Sequence, residues 1–428
     1  MKKLLNKFSE DSNIIIKNLS YLTLMRFFNI GFKFLIVAYL IRILGEKSYG
    51  VLTWLDSVIQ YFLMLINFGF NIYAAKYIVE YRKKTDKINE VVSAIIIIKT
   101  ILFISSVVVV YFLSLQNGFS EYKELLLLFI IIGAGEVLFP VWFYQGVENL
   151  KPATVIVFFS RLFLVLGTFL LVNSKEDSIY YVLMLVISST AMGLVGLYYI
   201  IKKHQIKLII VPLSKLFFFA QESFPFFAGR FLSLIFNFGT IFLIGKFCDF
   251  EQVAGFDLSL KVIMVGVIPF EMLQQAVFPT LTRTKNKKLL VRLLKGALFL
   301  GSLVGIVIYI FSDQIILLFG GDEMLAYVSV LKHLTIMAPF VALTFILGSC
   351  SLVAFGHFKE YNFSLIVTSI IYFVVVIILY LFDEISFWNL IYLRIFADIL
   401  MCLIRLYYSF RKKVFSFDII DDERKSNG

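Results

Sequence analysis

The sequence predicts an all-α membrane protein of about twelve transmembrane helices in two six-helix bundles, on three observations. First, the 428 residues are 60% hydrophobic and 16% charged, with a mean hydropathy of +0.90. A soluble chain is nearer half apolar and a quarter charged. Second, the apolar residues gather into runs of the length a bilayer requires, ~20 residues each. Third, the linkers between these runs alternate between rich and poor in Lys and Arg.

The runs predict spans over 18–43, 51–75, 91–114, 122–144, 154–173, 179–201, 222–247, 253–279, 293–312, 331–354, 361–382 and 386–408. The linkers between them are short, and none has room for a folded domain. The first span is too long for the apolar core of a secretory signal, and no small-residue cleavage site follows it. The segment before it pairs Leu4, Leu5 and Phe8 with Lys2, Lys3 and Lys7, a pattern suited to lying along a membrane surface.

Lys and Arg set the orientation. The N-terminal tail and every second linker carry Lys2 to Lys17, Lys76 to Lys87, Lys151, Lys202 to Lys215, Arg283 to Lys295, Lys359 and Arg405 to Lys425. The opposite linkers carry only Arg42, Lys47, Lys123, Lys175, Lys246 and Lys332. Basic loops stay in the cytoplasm, so both termini are expected there. The net charge of +11 is read in the same way, as a topology signal and not as a nucleic-acid surface. Cys248, Cys350 and Cys402 and the three His residues are scattered, without metal-ligand spacing.

The second half echoes the first. Arg26, Asn29, Lys33, Gly45, Tyr49-Gly50 and Asp56 align with Arg230, Ser233, Asn237, Gly245, Ala254-Gly255 and Lys261, with one gap. The expected organisation is a cytoplasmic interfacial segment (1–17), an N-terminal bundle (18–201), a cytoplasmic linker (202–221), a C-terminal bundle (222–408) and a cytoplasmic tail (409–428). Parallel repeats of this kind enclose a midplane cavity and rock against one another.

Charges within the spans need a wet cavity or a partner, because each costs about 2.5–3.5 kcal/mol at the bilayer centre. Arg394 and Asp398 lie four apart on one helix face, as do Asp257 and Lys261, so local pairing is available to each. Arg26, Asn29 and Lys33 form a stripe with no acid on their own helix, and Arg230, Ser233 and Asn237 repeat it. Two cationic stripes suggest a cavity for an anionic group. Diphosphate fits, because guanidinium forks match phosphate oxygens. Pairing with Asp56 or Asp257 from the next helix is the open alternative. The candidate substrate-binding set is therefore Arg26, Asn29, Lys33, Arg230, Asn237 and Lys261, with Lys99, Arg161 and Arg394 as further candidates. Gly245-Lys246 lacks the spacing and hydroxyl of a nucleotide-binding loop, so direct ATP driving is not expected.

Several motifs carry a resemblance. Arg42-Ile43-Leu44-Gly45 followed by Tyr49-Gly50, then Phe68-Gly69-Phe70, then the Arg82 linker, then Trp142 to Glu148, resemble in order and spacing the polysaccharide transporter family, the O-antigen flippases. Val253-Ala254-Gly255-Phe256 with Lys261 is similar to helix 8 of that family, where Gly-Tyr is more usual. The resemblance implies the fold of the multidrug/oligosaccharidyl-lipid/polysaccharide (MOP) exporter superfamily, MATE-like, in a bacterial cytoplasmic membrane. It implies flipping of an undecaprenyl-diphosphate-linked oligosaccharide for O-antigen or capsule synthesis, by a monomer alongside polysaccharide assembly proteins. It implies no enzyme activity and no cofactor beyond Na⁺ or H⁺ coupling, for which Asp56, Asp257 and Asp398 are the candidates. An ion-driven multidrug exporter of the same fold would carry an acidic cavity for organic cations, and a polymerase or ligase would carry a long external loop. Neither feature is present in the sequence.

Overall fold

The computed structural model describes residues 2–415; the side chains of 2–19, Leu22, Arg26, Arg230, Leu232, Ser233, Ile235 and Asn237 lie outside the described set. The interfacial pattern expected before residue 18, the tail from 416 onward and the side chains of Arg26, Arg230, Ser233 and Asn237 are therefore outside the described residues. No strand occurs among the described residues. The helices are α1 (Lys2–Asn67), α2 (Phe70–Glu80), α3 (Thr85–Ser114), α4 (Lys123–Ile130), α5 (Ile132–Leu138), α6 (Val141–Gly146), α7 (Lys151–Leu171) and α8 (Ser178–His204). They continue with α9 (Leu213–Phe247), α10 (Phe250–Thr284), α11 (Lys287–Ile310), α12 (Ser312–Gly320), α13 (Val328–Leu334), α14 (Met337–Phe345), a π-helix (Ile346–Val353), α15 (Phe358–Leu381) and α16 (Phe387–Arg411).

Local sequence explains the interruptions. In α1, Gly45 adopts φ 78°, ψ 167°, a conformation that glycine takes without a Cβ penalty, and the helix breaks there. Phe68 and Gly69 have φ of 42° and 76° and separate α1 from α2. Pro140, without an amide hydrogen, divides α5 from α6. Asp249 and Gln252 form a capping box at the start of α10, and Asn286 caps α11 by accepting from the Leu289 amide at 3.0 Å.

Among the described residues, nine helices are long and apolar enough to span a membrane, ten when the bent pair Asp322–Leu334 and Met337–Val353 counts as one. The difference from the expected twelve has two sources. The first two expected spans follow one another across the break at Gly45 without a linker and count as one, and the span expected over 222–247 lies in α9, whose side chains are only partly described.

The chain divides into two compact units. The first holds Met1–Ser48 and Trp54–Phe231; the second holds Tyr49–Thr53 and Leu232–Gly428. In the first, α8 packs on α5 and α7, and α2 packs on α6. Its core includes Phe70, Tyr73, Ile95, Trp142, Tyr144 and Phe219. The segment after α8 is tied to α3, with the Lys207 amide donating to Asn89 Oδ1 at 3.0 Å and the Ile209 amide to Ser93 Oγ at 2.9 Å. In the second unit α14 packs on α11 and α16, and α10 on α13 and α14.

The outward faces are apolar. Leu170, Phe299, Ile310, Phe373 and Leu381 are all more than half exposed. Water would not tolerate a surface of this kind over so many helices; hydrocarbon does. The protein is a multi-pass membrane protein.

Candidate functional site

In the first unit, α1 turns Lys33 outward, with its side chain 55% exposed and its ammonium 4.0 Å from Asp56. Gln60 donates to the other oxygen of Asp56 at 2.8 Å. One turn before Lys33, Asn29 is held by the Met25 carbonyl at 3.0 Å and accepts from Arg161 Nε on α7 at 2.7 Å. A second cluster lies deeper. Lys99 on α3, 1% exposed, donates to Asn67 Oδ1 at 3.2 Å and to the Glu136 carbonyl at 3.0 Å, while Asn67 donates to the Glu136 carboxylate at 2.8 Å. Every polar atom named has a protein partner, as a hydrocarbon setting demands.

In the second unit, Asp257 and Lys261 stand one turn apart on α10, with Nζ 2.5 Å from the carboxylate. Tyr49, from the five residues of α1 that belong to this unit, donates its hydroxyl to the same Asp257 oxygen and accepts from Lys261 at 2.8 Å. Asp257 is 4% exposed, whereas the Lys261 side chain is 23% exposed. Gly50 sets this contact: a Cβ there would lie 1.8 Å from the Phe250 carbonyl oxygen, so only glycine lets α1 approach α10 this closely.

On α16, Arg394 is ion-paired with Asp398 and lies over the Phe236 ring at 5.4 Å. Nearby, Thr240 and Tyr372 share a hydrogen bond of 2.8 Å. Arg405, at the end of the span expected over 386–408, counts among the cytoplasmic basic residues in the sequence; the structure buries it to 5% exposure. Its guanidinium donates to Ser364 Oγ at 3.1 Å and to the Thr344 carbonyl at 2.9 Å, and lies over Tyr361 at 4.7 Å. Seven residues separate Asp398 and Arg405, which places them on one helix face; that spacing was the signal in the sequence.

Of the candidate residues, the structure brings together Asn29 with Arg161, Lys33 with Asp56, and Asp257 with Lys261. Lys99 and Arg394 are enclosed, Lys99 bonded to Asn67 and the Glu136 carbonyl and Arg394 ion-paired with Asp398. Asn67, Glu136 and Tyr49 are not among the candidate binding residues of the sequence, although Glu136 is an acid within a span and Tyr49 belongs to a motif. Glu136 lies beside small residues, Gly133-Ala134-Gly135, in a broken stretch of helix, and Tyr49 lies within the Tyr-Gly motif itself. The other motif residues build the fold: Tyr144 donates to the Gly196 carbonyl at 2.8 Å, Glu148 pairs with Arg82 at 3.1 Å, and Phe68 stacks on Phe227 at 4.9 Å. Among the described residues no group of His, Cys, Asp and Glu is placed to hold a metal ion.

Long lipid-facing helices with ionic clusters held inside them define a helical membrane protein that exposes half-buried charge. The family model described as "Polysaccharide biosynthesis protein" matches residues 15–285, and the chain belongs to that family. A curated relative from Shigella dysenteriae, named "Putative O-antigen transporter", is 22% identical over 400 residues, spanning 91% of this chain and 98% of its own. The structure of lipid II flippase MurJ in an inward closed conformation matches with a TM-score of 0.76 at 17% identity, over 93% of this chain and 88% of that one. An inward-facing multidrug resistance MATE family transporter of the MOP superfamily matches with a TM-score of 0.71 at 11% identity, over 91% and 94%. The fold is thus MATE-like.

Proposed function

We propose that the chain is a flippase that carries an undecaprenyl-diphosphate-linked oligosaccharide, an O-antigen or capsule repeat unit, from the inner to the outer leaflet of the bacterial cytoplasmic membrane. The observation that carries this reading is a partly exposed lysine side chain in each unit, Lys33 at 55% and Lys261 at 23%, in a chain of the polysaccharide biosynthesis family. A charged group is placed within membrane-spanning helices at a cost, and an anionic cargo repays that cost by pairing with it. The names of the similar proteins, a transporter and a lipid-linked flippase, support transport over chemistry.

In this reading Arg26, Asn29, Lys33, Arg230, Asn237 and Lys261 hold the diphosphate, and the polyprenyl tail stays in lipid. Movement is by alternating access, with both termini in the cytoplasm as the basic linkers indicate. Asp56, Asp257 and Asp398 each stand beside a cation, Lys33, Lys261 and Arg394, so charge balance is their first role and ion coupling a second. Replacing Arg26 and Arg230 together with Ala tests the reading. Surface polysaccharide should disappear while the protein remains in the membrane; normal polysaccharide in the double variant overturns it.

A further inference from the structure

Lys261 is not idle in this structure. Its ammonium closes a triangle with the Asp257 carboxylate at 2.5 Å and the Tyr49 hydroxyl at 2.8 Å, and it lies over the Tyr49 ring at 5.5 Å. The three groups differ in access. Tyr49 is 3% exposed and Asp257 4% exposed, and Val253, Ala254, Gly255, Phe256 and Leu258 around Asp257 are fully buried. Of the three side chains, that of Lys261 is the most accessible, at 23% against 6% for Asp257. The carboxylate is fixed, and the lysine, on a flexible four-carbon stem, is the member that can turn.

We propose that Asp257 is a built-in counter-ligand that competes with the anionic cargo for Lys261, and that Tyr49 keeps Asp257 satisfied while the lysine is away. This rests on the reading of Lys261 as an anion-binding residue. A buried carboxylate that lost its cation would be left uncompensated at high cost. The Tyr49 hydroxyl, aimed at the same oxygen, supplies a donor that does not leave. Binding becomes an exchange of one anion for another at the ammonium, and release is the same exchange reversed.

The two partners of Lys261 therefore act in opposite directions, which a purely structural role would not produce. The test uses the purified full-length protein in detergent, with geranylgeranyl diphosphate as the probe and geranylgeraniol as the control for tail adsorption. Lys261→Ala should weaken diphosphate binding about tenfold, one charge-assisted contact. Asp257→Asn should tighten it about fivefold, by removing the competitor. Tyr49→Phe should weaken it about threefold, and Asp257→Asn combined with Lys261→Ala should bind as Lys261→Ala alone. If the asparagine variant does not accumulate, Asp257→Ser tests the same direction. An Asp257 variant that binds no more tightly than the unaltered protein, with Lys261→Ala still weakened, overturns this inference and leaves the anion site standing. Unchanged binding in Lys261→Ala overturns both.

Discussion

Lys99 and Glu136 meet through the main chain: the ammonium donates to the Glu136 carbonyl at 3.0 Å, while the Glu136 carboxylate takes the Asn67 amide at 2.8 Å. The side chains thus share Asn67, to which Lys99 also donates. This links α3, the end of α1 and the short helix α5, whose neighbouring breaks free main-chain carbonyls for such bonds.

Removing the ammonium should loosen that link. Lys99→Met keeps the length and apolar stem but leaves the Glu136 carbonyl and Asn67 without a donor. We expect a loss of about 1–2 kcal/mol, the scale of hydrogen bonds between membrane helices, seen as a lower melting temperature in detergent. Melting equal to that of the unaltered protein would count against the network.

Gly50 should be far less tolerant than Gly31. A Cβ at Gly50 meets the Phe250 carbonyl oxygen at 1.8 Å, whereas one at Gly31 meets nothing within 4 Å. Gly50→Ala should cost about 1–3 kcal/mol through overpacking and cut accumulation in the membrane. Gly31→Ala should be neutral or stabilising by up to about 1 kcal/mol, since alanine favours helix. Equal accumulation of the two variants would contradict the close approach.

Both of these contacts show how much the sequence could carry. The spans, the alternation of basic linkers and the pairs Asp257–Lys261 and Arg394–Asp398 are local patterns, set by periods of 20 residues or of four. Tyr49 reaches Asp257 across 208 positions and Arg161 reaches Asn29 across 132, and no periodicity encodes such distances. Arg405 misled for a related reason: near a helix end, a basic residue reads as a loop charge until its helix face is known. Asp56 beside Lys33, by contrast, was the alternative partner already visible in the sequence.

The turn between α7 and α8 should respond to acid. The Asp177 carboxylate accepts from the Asn173 amide at 2.9 Å and from the Ser174 amide at 2.8 Å, and these bonds, the Asn173 one foremost, hold its pKa below the usual aspartate value. A folded value below the unfolded one gives stability that is present above the ordinary aspartate range and fades as pH falls through the lowered value. Asp177→Asn should flatten the melting temperature between about pH 3 and 5, where the unaltered protein declines. An unchanged acid slope would contradict this.

Topology can be read with reporters placed at Asp383-Glu384, in the short turn that follows α15. In the proposed orientation, with both termini in the cytoplasm, this turn lies on the opposite side. Alkaline phosphatase fused there should be active and a cytoplasm-dependent fluorescent protein dark. The reverse pattern would invert the proposed orientation.

The break at Gly45 has a consequence for dissection of the molecule. Because Tyr49–Thr53 complete the second compact unit, a fragment cut at the linker after α8 would carry off five residues that its C-terminal counterpart needs. Co-expressed halves would have to reunite for Tyr49 to regain Asp257. The C-terminal unit is therefore not a part that can be made and studied singly without Tyr49–Thr53.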